Sequence, residues 1–108
     1  MNGKVKREEQ RLEKLRKLNK IYHLIQSDPD LECALTAHED PEVVVSRAGE
    51  AYMWAISYSP EVLVYMCIIR NRETGSEAYV ECAGDRPGML FNLIQRSLRI
   101  ESCRPQGS

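Results

Sequence analysis

The 108-residue sequence lacks the clustered ligands that a metal site needs. Its four cysteines are scattered without a Cys-x-x-Cys pair, and only two histidines are present to join them. We therefore expect no metal site and no bound cofactor. Scattered cysteines are typical of reduced thiols, so we expect an intracellular protein, either cytoplasmic or nuclear.

Long apolar runs and phosphate-binding glycine patterns are also missing. No stretch approaches the ~18 apolar residues that a membrane-spanning helix requires. Ser46, Ser57 and Ser59 do not sit in a recognisable nucleophile motif, and no dinucleotide-binding pattern occurs. These absences predict a protein that is not an enzyme.

Lysine disappears from the chain after Lys20. Residues 1–20 carry eight basic and three acidic side chains, whereas the remainder carries seven arginines and thirteen acids. A basic segment of this kind can meet nucleic-acid phosphates. The interleaved glutamates and the absence of aromatic residues before Tyr22 make that role a second alternative only. The candidate phosphate contacts are Lys4, Lys6, Arg7, Arg11, Lys14 and Lys17.

Residues 4–26 contain no glycine or proline and consist mainly of strong helix formers. Their apolar residues recur every three or four positions, which predicts one basic amphipathic helix with a single apolar stripe. We expect its first half to be solvated and its second half to pack on the domain or on a partner. This stripe is the candidate helical seam, the surface through which the helix binds a partner or a second copy of the chain. It consists of Leu12, Leu15, Leu18, Tyr22 and Ile25.

The section from residue 27 to residue 56 supports two interpretations. Pro29 ends the first helix, and the alternation over residues 31–38 favours a strand, with a short helix capped by Ser27 as the competitor. The consecutive valines before Ser46 favour another strand, although residues 42–56 could instead form one helix.

The last third of the sequence has the clearest pattern. Residues 62–69 are apolar throughout, which is typical of a strand covered on both faces. A glycine-containing hairpin connection and an alternating strand over residues 77–82 follow. An amphipathic helix spans residues 87–99, and its expected buried stripe consists of Met89, Leu90, Leu93, Ile94 and Leu98.

These elements predict an α+β fold with a four- to five-stranded antiparallel meander between two helices, the second packed on the sheet. A ferredoxin-like βαββαβ arrangement is the alternative. We divide the chain into the basic helix (1–26), an α+β domain (27–103) and a disordered tail (104–108).

The stretch Asp85-Arg86-Pro87-Gly88 separates the last strand from the last helix. Asp85 is expected to cap the helix, and Pro87 is favourable in a first turn. Gly88 suggests the close approach of a backbone or ligand. Residues 85–90 resemble the turn of ACT domains, which implies that Asp85, Arg86 and Gly88 lie near a bound small-molecule effector.

Residues 56–99 resemble the final strands and closing helix of phosphotyrosine-binding and other PH-like domains. That resemblance implies peptide binding in a groove between the sheet and the helix over residues 87–99. Our leading interpretation is a non-catalytic module, an adaptor or an oligomerisation domain. Its partner is another protein or a second copy of the chain, bound through the helical seam, this groove, or both. A regulatory small-molecule domain of ACT type is the first alternative.

Overall fold

The computed structural model describes residues 2–36 and 40–102, with side chains over residues 6–36 and 40–98. In this part of the chain, one helix precedes five strands and a second helix follows them, which confirms the predicted α+β class. The elements are α1 (Asn2–Gln26), β1 (Leu31–Thr36), β2 (Glu42–Arg47), β3 (Tyr52–Ser59), β4 (Val64–Asn71), β5 (Glu77–Ala83) and α2 (Pro87–Ser102).

The strands form one antiparallel sheet in the order β1-β2-β3-β4-β5. Each strand pairs with its neighbour along the chain because the connections are too short for a crossover. Trp54 in the central strand β3 lies between Val45 of β2 and Ile69 of β4. The βαββαβ alternative is wrong, since the described residues contain no helix between strands.

Both helical alternatives for the middle of the chain are also wrong. β1 begins at Leu31 and β2 at Glu42, and their six residues pair in register from Leu31 with Arg47 to Thr36 with Glu42. β-branched side chains fit a pleated sheet better than a helix, and the alternating burial of β2 shows that fit. The end of the predicted first strand, residues 37–38, lies outside the described residues.

The second half of α1 packs on the sheet of its own chain. Leu18, Ile21 and Ile25 are fully buried in the core, whereas Leu12 is 61% exposed. The described side chains before Leu12 are exposed or half-buried. The expected division of the helix into a solvated half and a packed half is therefore confirmed.

Asp28 links the end of α1 to α2. Its Oδ1 accepts a hydrogen bond from the backbone N–H of Asp30 at 3.0 Å, and its Oδ2 accepts one from Gln95 Nε2 at 2.9 Å. A buried carboxylate is stable only when its oxygens are hydrogen-bonded. These bonds therefore fix the turn after α1 and the position of α2 together.

The helix α2 covers the same side of the sheet as α1. Its Leu90, Ile94 and Leu98 are fully buried and belong to one core with the buried residues of α1. Trp54 Nε1 donates a hydrogen bond to Ser97 Oγ at 3.1 Å, so the core tryptophan keeps a polar partner. Within the strands, the core takes alternate residues, such as Val43, Val45 and Cys67, so both helices pack on one face.

Replacing Leu18 by alanine should destabilise the fold by about 2–5 kcal/mol, because it removes a fully buried side chain. Leu12→Ala on the same helix is the matched control and should change the free energy of unfolding by less than about 0.5 kcal/mol. Urea unfolding followed by the fluorescence of Trp54 measures both. Equal losses for the two variants would contradict the packing described above.

Stability should fall as pH rises above the ordinary pKa of a thiol. Burial, followed by the nearby Cys82, raises the pKa of Cys67 from 9.0 to about 12. Burial, followed by Tyr58 and Cys82, raises the pKa of Tyr65 from 10.0 to about 12. Between these values the unfolded chain loses protons that the folded chain keeps. The free energy of unfolding therefore falls by about 1.4 kcal/mol per pH unit and per group.

Urea unfolding at a series of pH values between neutrality and the raised pKa values tests this dependence. The Tyr65→Phe variant supplies the control, because it removes one titrating group and should show a shallower decline. A free energy of unfolding that stays constant over the alkaline range would show that these groups are not buried.

Candidate functional site

The face of the sheet that points away from the helices has no cover within the described residues. Cross-strand pairing aligns one residue from each strand into a row across it. That central row is apolar at every position and consists of Ala34, Val44, Ala55, Ile68 and Tyr79. We call this side of the sheet, formed by the central row and the alternate residues beside it, the open face.

Large apolar side chains of the open face reach solvent. Ile68 is 43% exposed and Tyr79 is 57% exposed, while Met53 and Met66 beside the central row are half-buried. A shallow hollow of about 240 Å³ lies among these side chains. Its lining consists of Glu42, Val44, Met53, Ala55, Ile68 and Arg70.

The rim of the open face is acidic. Register places four carboxylates in the rows that flank the central row, against one basic side chain, Arg70. Arg70 Nε donates a hydrogen bond to Glu77 Oε2 at 2.7 Å, and the Tyr79 hydroxyl donates one to Glu81 Oε2 at 2.7 Å. The surface therefore combines an apolar centre with a negative border. The four carboxylates belong to Glu32, Glu42, Glu77 and Glu81.

The expectation that residues 62–69 are covered on both faces is wrong within this chain. The helices bury Tyr65 and Cys67, but Ile68 on the other side of the same strand is exposed. The open face is not among the surfaces predicted from the sequence. The signal for it in the sequence is that β4 is apolar on both of its faces. Met66 and Ile68 lie on one face, and Tyr65 and Cys67 lie on the other.

The predicted helical seam is divided between the core and the surface. Leu18 and Ile25 are fully buried against the sheet, and Tyr22 packs partly against the same core. These contacts are made within the chain, so the part of the seam that a partner can reach is Leu12 with half-buried Leu15.

The predicted groove beside α2 has exposed apolar walls. The prediction that Met89 and Leu93 are buried is wrong, since they are 47% and 36% exposed on α2. The edge strand β5 presents Ala78 to solvent, and Val80 is only half-buried. An extended peptide can pair with such an edge strand, so binding there stays a prediction.

The Asp-Arg-Pro-Gly turn starts α2, but its cap is not the predicted one. Pro87 is the first helical residue, as expected, so the capping position belongs to Arg86. Its carbonyl accepts hydrogen bonds from the N–H groups of Met89 at 3.1 Å and Leu90 at 3.3 Å. Asp85 stands one residue too early, and its carboxylate makes no hydrogen bond within the described part. A Cβ at Gly88 would meet open space, so no backbone closely approaches it.

The basic residues of α1 do not form one free phosphate-binding stripe. Lys14 Nζ lies 3.6 Å from Asp40 Oδ1, and Lys17 Nζ donates to the Gly84 carbonyl at 3.1 Å. Lys6 and Arg7 are exposed, and Arg11 also faces solvent. The side chain of Lys4 lies outside the described ones.

A second candidate site is a cleft of about 470 Å³ at one end of the fold, which we call the end cleft. Three segments that are distant in sequence form it: α1, the β3–β4 turn and the β5–α2 turn. Arg16 is paired with Glu13 through its guanidinium, so these two charges largely neutralise each other. The lining residues are Glu13, Arg16, Lys17, Tyr58, Pro60, Leu63, Gly84 and Asp85.

Tyr58 is the most unusual residue of the end cleft. It is 1% exposed, and its hydroxyl has no hydrogen-bond partner within the described part of the chain. Its ring packs edge-on against Tyr65, with centroids 5.3 Å apart, and Lys17 Nζ lies 5.7 Å from its centroid. Burial, followed by the charge of Glu13, raises the pKa of the Tyr58 hydroxyl.

Two backbone features hold Tyr58 in place. Leu63 has a positive φ of 58°, which is uncommon outside glycine, and its carbonyl accepts the Gly84 N–H at 2.9 Å. A Cβ at Gly84 would lie 2.7 Å from the Tyr58 ring and 2.8 Å from the Leu63 carbonyl oxygen. Only glycine fits there without displacing the turn or the ring.

Comparisons with known proteins found no match. No family model, no curated protein and no solved structure matches the chain. Among the described helices, none is long and apolar enough to cross a bilayer. The described residues also contain no group of three or more His, Cys, Asp or Glu side chains placed to hold a metal ion.

Replacing Gly84 by alanine should destabilise the fold by about 1–3 kcal/mol, because the added methyl group overlaps a ring and a carbonyl. Gly88→Ala is the matched control and should be neutral or stabilising by up to about 1 kcal/mol, since open space and a helical position favour alanine. Thermal unfolding of both variants measures the difference. A Gly84→Ala protein as stable as the wild type would refute the close approach of Tyr58.

Proposed function

We propose that the chain is a non-catalytic protein-interaction module that associates with a second copy of itself through the open face. The observation that supports this function is the uninterrupted apolar row across all five strands, with Ile68 and Tyr79 exposed at positions that α1 and α2 do not cover. Contiguous apolar surface with a polar border is typical of protein interfaces.

The composition of β4 supports a covering partner. Its inner residues already form the core, and the apolar side chains on its other face, which lie outside that core, remain partly or largely exposed. Leaving Met66 and Ile68 in water forgoes burial worth about 25 cal/mol for each Å² of apolar surface. A partner on the open face recovers that free energy.

The shape and size of the open face fit a second sheet. The strands are six to eight residues long. Five strands ~4.8 Å apart, with a rise of ~3.3 Å per residue, make a face of roughly 500 Å². Two such faces bury about 1,000 Å², just below the ~1,200–2,000 Å² of stable interfaces, so the dimer is weak. Two sheets pack face to face at ~10 Å, and the helices then lie on the outside of the dimer.

Charge predicts how this dimer responds to salt. Each open face carries four carboxylates against one arginine, so pairing two faces brings like charges together at the rim. Salt screens this repulsion while leaving apolar contact intact. The dimer should therefore strengthen with ionic strength, whereas nucleic-acid binding by the basic helix would weaken.

The proposed location is inside the cell. The described cysteines, Cys33, Cys67 and Cys82, are free thiols, and two of them are buried. Thiols of this kind persist in reducing compartments.

Sedimentation analysis over a range of protein concentrations tests the proposed dimer. We expect a monomer–dimer equilibrium in the ~micromolar range, as suits a small interface, and a tighter dimer in high salt. Ile68→Glu should abolish the dimer by placing a charge at the centre of the interface. Val62→Glu, at a turn residue that is 64% exposed and lies off the open face, is the matched control and should dimerise normally.

A monomer at every concentration would overturn the proposal, as would a dimer that Ile68→Glu leaves intact. Leu12→Glu and Leu93→Glu identify the alternative surfaces. If either of these abolishes association while Ile68→Glu does not, the interface is the helical seam or the groove beside α2. Circular dichroism confirms that each variant is folded.

A further inference from the structure

We propose that the end cleft is a binding site for a small carboxylate with an apolar tail. This inference concerns a different surface from the open face and does not depend on self-association. A cleft of about 470 Å³ falls within the ~300–1,000 Å³ typical of small-molecule sites.

The Tyr58 hydroxyl is the first observation that points to a ligand. Buried hydroxyl groups almost always have a hydrogen-bond partner, and this one has none in the described part. Nothing in the sequence compels a tyrosine there, because phenylalanine would fill the same space against Tyr65. A ligand that accepts a hydrogen bond from the hydroxyl supplies the missing partner.

Lys17 provides the positive charge that selects an anionic acceptor. Its ammonium group donates one hydrogen bond to the Gly84 carbonyl, so two of its three N–H donors remain for a ligand. The flexible side chain lies over the Tyr58 ring and can swing outward with its charge. A carboxylate that pairs with the ammonium group as this side chain moves outward gains access to the Tyr58 hydroxyl, which is otherwise buried.

Acidic neighbours limit the charge of the ligand. Asp85 has a carboxylate without a hydrogen bond in the described part, and Glu13 already engages Arg16. A phosphate, with its charge of about −1.5 to −2, would be repelled by these groups more strongly than a singly charged carboxylate. A ligand that also carries an ammonium group would place it near Asp85.

The β3–β4 turn supplies an apolar wall. Leu63 lines the cleft, is 63% exposed and is held in its positive-φ conformation by the hydrogen bond between its carbonyl and Gly84. Backbone strain of this kind concentrates at functional sites. Together with Pro60, Leu63 offers an uncovered surface for a branched aliphatic chain.

Isocaproate is the probe, and leucine is the same molecule with an added α-ammonium group. Titration of the full chain, followed by the NMR signals of the Gly84 and Asp85 amides, should show saturable binding of isocaproate at ~0.1–10 mM, as suits so small a ligand. Leucine should bind at least as tightly, because Asp85 lies at the cleft. Inorganic phosphate should bind more weakly than either.

Tyr58→Phe should weaken isocaproate binding about tenfold, the effect of one hydrogen bond to a charged group, without lowering the melting temperature. Lys17→Met should abolish binding. Lys20→Met, at an exposed lysine on the same helix, is the matched control and should bind like the wild type.

The proposal is overturned if no probe shifts the Gly84 and Asp85 signals, if phosphate binds more tightly than isocaproate, or if Tyr58→Phe binds as well as the wild type. In the last case the hydroxyl does not contact the ligand.

Discussion

Both helices lie side by side on one face of the five-stranded sheet, and this placement determines the organisation of the whole molecule. Leu18, Ile21 and Ile25 of α1 and Leu90, Ile94 and Leu98 of α2 meet the same face, where they form one core with alternate strand residues. A helix is ~10 Å wide, so two side by side span the roughly 20 Å between the outer strands. The described part of the chain has no further element for the other face.

The one-sided arrangement gives the two faces of β4 different roles. Tyr65 and Cys67 are buried in the core, whereas on the other face Ile68 is exposed and Met66 is half-buried. Carboxylates and Arg70 surround that surface. This pattern resembles an interface more than a solvated sheet face, where polar side chains normally alternate with the buried ones.

The end cleft depends on the same packing at a different place. Tyr58 belongs to the inner face of β3, and α1 passes over it so that Lys17 and its carbonyl meet the two tyrosines. The Tyr65 hydroxyl donates to the Lys17 carbonyl at 2.8 Å, while the Tyr58 hydroxyl has no such partner in the described residues. The cleft and the open face lie on opposite sides of the sheet, so the two proposed binding sites do not overlap.

Local pattern alone determined the types of the two helices, β4 and β5, whereas residues 27–56 stayed open between strand and helix. Alternation, β-branched residues and glycine-containing turns specify the strands, and their short connections require a meander, because each depends on neighbouring residues only. The apolar stripe of α1 likewise identified Leu18 and Ile25 as residues that pack. Pro87 correctly marked the start of α2. The capping residue is Arg86 instead of the predicted Asp85, because the backbone geometry of the turn decides which of two adjacent residues takes the capping position.

Tertiary structure decided which surfaces remain exposed and which distant residues meet. The pattern of β4 is apolar on both faces, and only the placement of both helices on one side shows which face is left open. The end cleft joins residues of α1, β3 and two turns that are separated by dozens of positions, and no local rule brings Lys17, Tyr58 and Gly84 together. The unpartnered hydroxyl of Tyr58 is a property of that assembly, because hydrogen-bond satisfaction depends on neighbours in space rather than along the chain.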